Sequence, residues 1–267
     1  MGLIAEGKTK RIWEHGDPGL VVIESKDDLT AGDGARHNVI PAKGWLANRT
    51  TANVFGLLRR RGVPTAFRHS WSGQEFVAER CTMIPYEVVA RRRGIGSYLK
   101  RNPGHDPRQR FNTPLIEFYL KTSDKQWQGH PLTKDDPYVV FDGSAKLYRA
   151  DQPIAQQTPM LELVDFPLAD RRTDFLKIVD LTDRVFLILE TVWAQLDCEL
   201  VDLKLEFGFN EAGNLLLADV VDNDSWRLFD AHGNHLDKQL YRNGAPLEQV
   251  VEAYRQVAVL TDQFARF

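Results

Sequence analysis

The sequence predicts a fold that mixes helices with antiparallel strands, and three observations carry that prediction. Leu200 to Phe207 alternates without a break, with Val201, Leu203, Leu205 and Phe207 on one face and Asp202, Lys204 and Glu206 on the other, which is the period of a strand. Phe175, Ile178, Thr182, Val185, Leu189, Val192 and Leu196 recur at spacings of three and four, the stripe of an amphipathic helix. A second stripe, Val250, Val251, Tyr254, Val257, Ala258 and Thr261, comes after Pro246. A chain of 267 residues is long for one small domain and short for two average ones, so one large domain or a two-lobed unit is expected.

Taken in order, the first 90 residues or so read as β-rich. Leu20-Val21-Val22-Ile23, Phe76-Val77-Ala78 and Val88-Val89-Ala90 are short runs of strand-forming residues. Between them, Ala42 to Arg61 reads as a helix, with Pro41 near its start, Arg59-Arg60-Arg61 in its last turn and Gly62 just past its end. Residues 102–171 are rich in proline and polar residues and predict long loops, broken by one strand at Leu115–Lys121. After the helical stripe, the strand Leu200–Phe207 turns through Gly208–Gly213 and returns as Leu215–Asp219, a hairpin. The last helix begins at about Pro246.

Composition narrows the function. Hydrophobic residues at 43% and charged residues at 27% exclude an intrinsically disordered chain. A net charge of −3 argues against a general nucleic-acid coat, while leaving room for a local basic pocket. The uninterrupted apolar run Val185–Leu189 is too short to span a membrane. The N-terminus lacks the apolar core of a signal peptide, and Glu6 stands where a myristoylation signal wants Ser or Thr. Cys81 and Cys198 lie far apart and read as ordinary buried thiols of a reducing compartment, so a cytoplasmic location is expected.

Several segments carry groups suited to chemistry. Asp202, Lys204 and Glu206 stand about 7 Å apart along one strand face. That row reads either as a solvated face or, with Asp219 on the returning strand and Asp222, Asp224 and Arg227 beyond it, as carboxylates that hold Mg²⁺ on a nucleotide's phosphates. Glu6-Gly7-Lys8-Thr9-Lys10 reads as a surface turn or as a glycine turn offering N–H groups and two ammonium charges to phosphate. The glycines of Ala31-Gly32-Asp33-Gly34-Ala35-Arg36 permit positive φ and the close approach of a ligand. Arg91 to Arg101 holds five cations around Gly94-Ile95-Gly96-Ser97 and suits a phosphomonoester, with solvated charge and a nucleic-acid patch as the other readings. His232-Gly233-Asn234-His235 is a hairpin loop rather than a metal site.

Together these segments resemble the SAICAR synthetase family (phosphoribosylaminoimidazole-succinocarboxamide synthase). In order they are Glu6–Lys10, Ser25-Lys26-Asp27 with Thr30–Arg36, Met83-Ile84-Pro85, Arg91–Arg101 with Asn102-Pro103-Gly104, Leu200–Gly208, and Leu217–Leu228. Asn223-Asp224-Ser225-Trp226-Arg227 is nearer in wording to the animal-type branch, and residues 122–171 match the family poorly.

The resemblance implies an α+β fold, with an ATP-grasp-like or kinase-like nucleotide cleft between a β-rich lobe, 1–83, and an α+β lobe, 84–267. It implies a ligase that consumes ATP with Mg²⁺ to join L-aspartate to the carboxylate of carboxyaminoimidazole ribonucleotide, through an acyl phosphate, in purine biosynthesis. The rival readings are a ligase of the same family acting on another nucleotide-like carboxylate in secondary metabolism, and a small-molecule kinase. Carried onto this chain, the resemblance gives Gly7, Lys8 and Lys10 to the ATP phosphates and Cys81, Thr82 and Met83 to the adenine. It makes Lys204, Glu206 and Asp219 the catalytic group, with Glu206 and Asp219 on the metal. Asp33, Gly34, Arg91, Ser97, Lys100 and Arg227 face the ribonucleotide, Arg91 and Ser97 at its 5′-phosphate. No pocket for aspartate is placed. The partners implied are small molecules, not nucleic acid or membrane, and self-association into a homo-oligomer is left open.

Overall fold

The computed structural model describes residues 1–32, 34–122, 126–133, 135–142, 144–163 and 172–267. The chain divides into two compact units that are not consecutive stretches. The first comprises Met1–Thr82, Ile188–Leu200 and Gly208–Phe267, and the second comprises Met83–Leu187 and Val201–Phe207. A division into 1–83 and 84–267 follows the chain, whereas the contacts return 188–200 and 208–267 to the N-terminal unit. No described helix is long and apolar enough to cross a membrane.

The first unit opens with β1 (Leu3–Glu6), β2 (Lys10–Glu14) and β3 (Leu20–Ser25), then a small hairpin of β4 (Asp28–Ala31) and β5 (Arg36–Val39). Helix α1 (Lys43–Arg60) comes next, and after it β6 (Phe67–Ser70), β7 (Glu75–Glu79) and β8 (Cys81–Met83), which reaches the boundary between units. Five of these strands form an antiparallel sheet in the order β1-β2-β3-β7-β6, with Ile12 opposite Ile23 and Ile23 opposite Phe76. Helix α1 covers it through Phe55, whose ring stacks on Phe67 at 5.6 Å and tilts against Phe76. The helix ends where the sequence predicts: Gly62 takes φ 71°, its N–H donates to Arg59 O, and Val63 N–H donates to Leu58 O. At its start, the Asp27 carboxylate accepts from Gly44 N–H at 2.8 Å.

The second unit contains β9 (Tyr86–Arg93), α2 (Ser97–Arg101), β10 (Arg110–Leu120), β11 (Gln126–Trp127), β12 (His130–Pro131), β13 (Tyr138–Phe141), β14 (Ala145–Tyr148) and β15 (Leu161–Leu163). It also takes most of α3 (Arg172–Ala194) and the middle of β16 (Glu199–Asn210). Its antiparallel sheet runs β15-β14-β13-β10-β9-β16, with Asp202 opposite Arg91 and Leu205 opposite Val88. This corrects the expectation of long loops over 102–171. The predicted strand is longer and begins at Arg110, and β13 and β14 add a hairpin with Val139 opposite Leu147. Four-residue strands with two inward side chains each leave too short a periodic signal to separate from a loop. Phe175 of α3 packs on Phe118 and Phe141, with ring centroids 5.0 and 4.8 Å away.

The remaining elements belong to the first unit. After β16 the chain reverses where Asn210 N–H donates to Asn214 O, and it returns as β17 (Leu215–Ala218), the expected hairpin. It continues through β18 (Trp226–Phe229), α4 (Gln239–Arg242) and α5 (Leu247–Asp262). Leu29, Ile40, Leu46, Tyr241, Val250, Tyr254 and Ala258 form one buried cluster joining β4, α1, α4 and α5. His232–His235 lies in the expected loop, closed by Asp230 N–H donating to Asn234 O. Cys198 is buried as expected. Cys81 is only half-buried, because it sits in the three-residue β8 rather than in a core strand.

Candidate active site

The strand face that the sequence leaves open between solvent and chemistry is not solvated at its acids. Asp202 and Glu206 are 5% and 4% exposed, although they sit on the face opposite Val201, Leu203, Leu205 and Phe207. Burying a carboxylate requires a partner, and each has one. Lys204 Nζ donates to Glu206 Oε1 at 3.0 Å and to Glu87 Oε1 at 3.1 Å, while Lys121 Nζ donates to Glu206 Oε2. Asp202 accepts from Arg91 Nη1 at 2.9 Å.

Arg91 is the centre of a second buried group in the same unit. Its Nε donates to Glu117 Oε2 at 2.6 Å, and its Nη2 reaches both Ser97 Oγ and Tyr119 Oη at 3.2 Å. Glu117 takes a second guanidinium, Arg101 Nη2 at 2.5 Å, and Arg101 lies over the Tyr138 and Tyr119 rings at 4.4 and 5.2 Å. Burial alone weighs against a charged Arg91, but Asp202 and Glu117 outweigh it and raise its pKa. Burial, with the Glu117 charge, pushes the Tyr138 hydroxyl up to about 12. Lys100 is exposed on the same short helix as the half-buried Ser97.

In the first unit, the N-terminal turn is closed by Gly7 N–H donating to Lys10 O at 2.8 Å and tied down by Lys26, whose Nζ donates to Glu6 Oε1 at 2.8 Å. Lys8 is exposed, whereas Lys10 is half-buried and donates to Asp219 Oδ1. Asp219 itself has φ 60°, a left-handed conformation that a residue with a Cβ rarely adopts. The segment that follows it, Asp222–Ser225, is internally hydrogen-bonded. Asp222 N–H donates to Ser225 Oγ, Asp224 N–H to Asp222 Oδ1, and Asn223 Nδ2 to Leu236 O. Asp224 is the hub of that segment: Lys238 Nζ donates to it at 2.8 Å, Tyr254 Oη donates to its other oxygen, and Lys43 Nζ lies 3.9 Å away. Burial by itself raises the Asp224 pKa, and the two lysines with Tyr254 bring it below the usual carboxylate range. The neighbouring Asp222 is raised, by burial and by the Asp224 charge.

The remaining predicted residues have simpler settings. Arg227 is half-buried on β18, Thr82 and Met83 are exposed, and Gly34 is exposed with φ 90°. Asp33 lies outside the described residues. The structure therefore joins Lys10 with Asp219, Lys204 with Glu206, and Arg91 with Ser97. Sequence reasoning misses Lys121, Glu87, Glu117, Tyr119, Lys43, Lys238 and Tyr254 as members of these groups. Glu117 does leave a signal, a single acid within Leu115-Ile116-Glu117-Phe118-Tyr119-Leu120, where a buried charge must find a partner. Lys43 and Lys238 leave none, because what matters is where the fold carries them. Among the described residues, no three His, Cys, Asp or Glu side chains converge as a metal cluster.

A model of the family described as SAICAR synthetase matches residues 3–260. The phosphoribosylaminoimidazole-succinocarboxamide synthase of Roseiflexus sp. (strain RS-1) is 42% identical, over 97% of this chain and 96% of the relative. A probable multifunctional protein ADE2 of Caenorhabditis elegans is 38% identical over 99% of this chain and 59% of its own length. Among solved structures, the phosphoribosylaminoimidazole-succinocarboxamide synthase of Ehrlichia chaffeensis superposes with a TM-score of 0.79 at 29% identity, covering 98% of both chains. A SAICAR synthetase in complex with ADP does so with a TM-score of 0.78 at 27% identity, covering 97% of both.

Proposed function

This chain belongs to the SAICAR synthetase family, and from that membership we propose how its residues divide the reaction among them. It is an ATP-dependent carbon–nitrogen ligase of purine biosynthesis, joining L-aspartate to the carboxylate of carboxyaminoimidazole ribonucleotide. The observation that carries this reading is the family match across residues 3–260, supported by a relative at 42% identity that is matched over 96% of its own length. Neither the kinase reading nor the diverted ligase has comparable support.

A carboxylate at neutral pH is a poor acylating agent. In the proposed sequence a carboxylate oxygen attacks the γ-phosphorus of ATP, ADP leaves, and an acyl phosphate forms. The neutral amine of aspartate then attacks the acyl carbon, inorganic phosphate departs with the C–O bond electrons, and the nitrogen loses a proton to give the amide. Such a reaction depends on holding three anionic partners in line.

We assign Lys8 and Lys10, with Gly7 in the turn, to the ATP phosphates, and Cys81, Thr82 and Met83 to the adenine. Lys204 is assigned to the transferring phosphoryl group, its ammonium fixed between Glu87 and Glu206. Arg91 and Ser97 are assigned to the 5′-phosphate. The Arg91 guanidinium is largely occupied by Glu117 and Asp202, which offset its charge, so its contribution is to fix the Ser97 hydroxyl as much as to bond directly. Asp33, Gly34, Lys100 and Arg227 complete the assignment to the ribonucleotide.

Glu206 and Asp219 suit a divalent cation. Both offer hard oxygen donors, and both already attract ammonium groups. Among the described residues no group of three such side chains could hold a metal ion, so phosphate oxygens and water would supply the other ligands of a Mg²⁺ ion, its usual manner of binding. When bound, Mg²⁺ would neutralise phosphate charge. We place the protein in the cytoplasm, where the free thiols of Cys81 and Cys198 persist, and keep self-association as an expectation to be read by light scattering.

The test is mass spectrometry of the product formed from ATP, L-aspartate and the carboxylated ribonucleotide. An amide whose formation tracks ADP release is expected. Equal ADP release without aspartate, and no amide, would overturn the assignment.

A further inference from the structure

Each acid assigned to the metal already has a lysine on it. Asp219 accepts from Lys10, and Glu206 accepts from Lys121 on Oε2 and from Lys204 on Oε1. The three lysines differ in how firmly they are held. Lys204 bridges Glu87 and Glu206 at 3.1 and 3.0 Å and is fixed from both ends. Lys121 stands one residue past the end of β10, with its side chain 44% exposed, over a carboxylate that is 4% exposed. Lys10 is 24% exposed on the 17% exposed Asp219. A long side chain with its ammonium partly in water exchanges partners at little cost.

Charge decides the consequence. Asp219 already has one ammonium partner and Glu206 has two, so neither carboxylate is an uncompensated charge awaiting a cation. A bare dication would add two charges beside a carboxylate almost removed from water, which is unfavourable without compensating anions. A nucleotide's phosphates supply that negative charge, and they also offer the lysines another partner.

Resting on the assignment of Glu206 and Asp219 to the metal, we propose that Lys10 and Lys121 are resident counter-ions of these acids. They compete with the divalent cation for the same oxygens and yield them when an anionic ligand takes the ammonium group. The metal therefore loads with the nucleotide rather than before it.

Mn²⁺, followed by electron paramagnetic resonance, is the probe. Titrated into nucleotide-free protein, it should bind wild type weakly and bind Lys10→Met and Lys121→Met at least tenfold more tightly. Lys10→Gln and Lys121→Gln, with circular dichroism as the check on folding, replace either variant if it does not fold. Glu206→Gln and Asp219→Asn are titrated in the presence of ADP. If both hold Mn²⁺ with ADP as wild type does, the acids are not metal ligands and the underlying assignment fails. If they lose Mn²⁺, yet the lysine variants bind it no more tightly than wild type without ADP, the metal assignment stands and the counter-ion proposal is overturned.

Discussion

Asp222 and Asp224, two residues apart, titrate in opposite directions. Asp224 has Lys238, Lys43 and Tyr254 around it and is held below the usual carboxylate range. Its contribution to stability is therefore present above the unfolded value of about 3.9 and is lost as pH falls through the lower folded one. Asp222 is raised by burial and by the Asp224 charge. Its contribution is present below the unfolded value and declines as pH rises toward the folded one. At pH 7, Asp224→Asn should cost about 2 kcal/mol or more, because it strands two ammonium groups. Asp222→Asn should be no less stable than wild type, since its carbonyl still accepts from Asp224 N–H. Urea denaturation of both variants decides, and equal losses would refute the contrast. For activity, Glu206→Gln and Asp219→Asn keep volume and remove charge, so Mg²⁺-dependent turnover should collapse by a factor of about a hundred or more, the scale of losing one preorganised charge stabilisation. Wild-type Mg²⁺ dependence in both would reduce these acids to structural partners of Lys121 and Lys10.

Helix α1 shows an element whose position, rather than its propensity, matters. Alanine is the better helix former by about 1 kcal/mol, so Gly44→Ala would stabilise an isolated helix. Here a Cβ at residue 44 would lie 2.3 Å from the Ser25 carbonyl oxygen, a backbone atom that cannot swing aside. Overpacking costs about 1–3 kcal/mol and exceeds the propensity gain, so the variant should be destabilised, which a thermal melt will read. An unchanged or higher Tm would mean that β3 yields. The same approach lets the Asp27 carboxylate reach Gly44 N–H and places Lys43 beside Asp224. The start of α1 thus links the turn that follows β3 to the buried carboxylate of Asp224.

At the scale of the molecule, a ligand that binds the folded chain alone raises its stability by mass action. ADP with Mg²⁺ at a hundred times its Kd should add about 2.7 kcal/mol, or roughly 5–10 °C in Tm for a chain of this size. Absence of any shift, with adenosine triphosphate hydrolysis also absent, would count against nucleotide binding. The sequence by itself determined the long elements and the reaction. Three periodic segments are long enough for their burial pattern to be read directly, and six short motifs in fixed order identify the family and with it the chemistry. It also determined that Asp202, Lys204 and Glu206 share a face, because strand periodicity is local. Only the tertiary structure decided that this face is removed from water at its acids, that Lys121 and Lys10 occupy the oxygens assigned to metal, and that Arg91 is spent largely on Glu117 and Asp202. The short strands of 110–163 and the return of the C-terminal segments to the N-terminal unit were likewise settled in three dimensions. The physical reason is one of range: periodicity and turn chemistry act over a few residues, whereas a buried charge is defined by partners such as Lys43 and Asp224, which the chain separates widely and only the fold brings together.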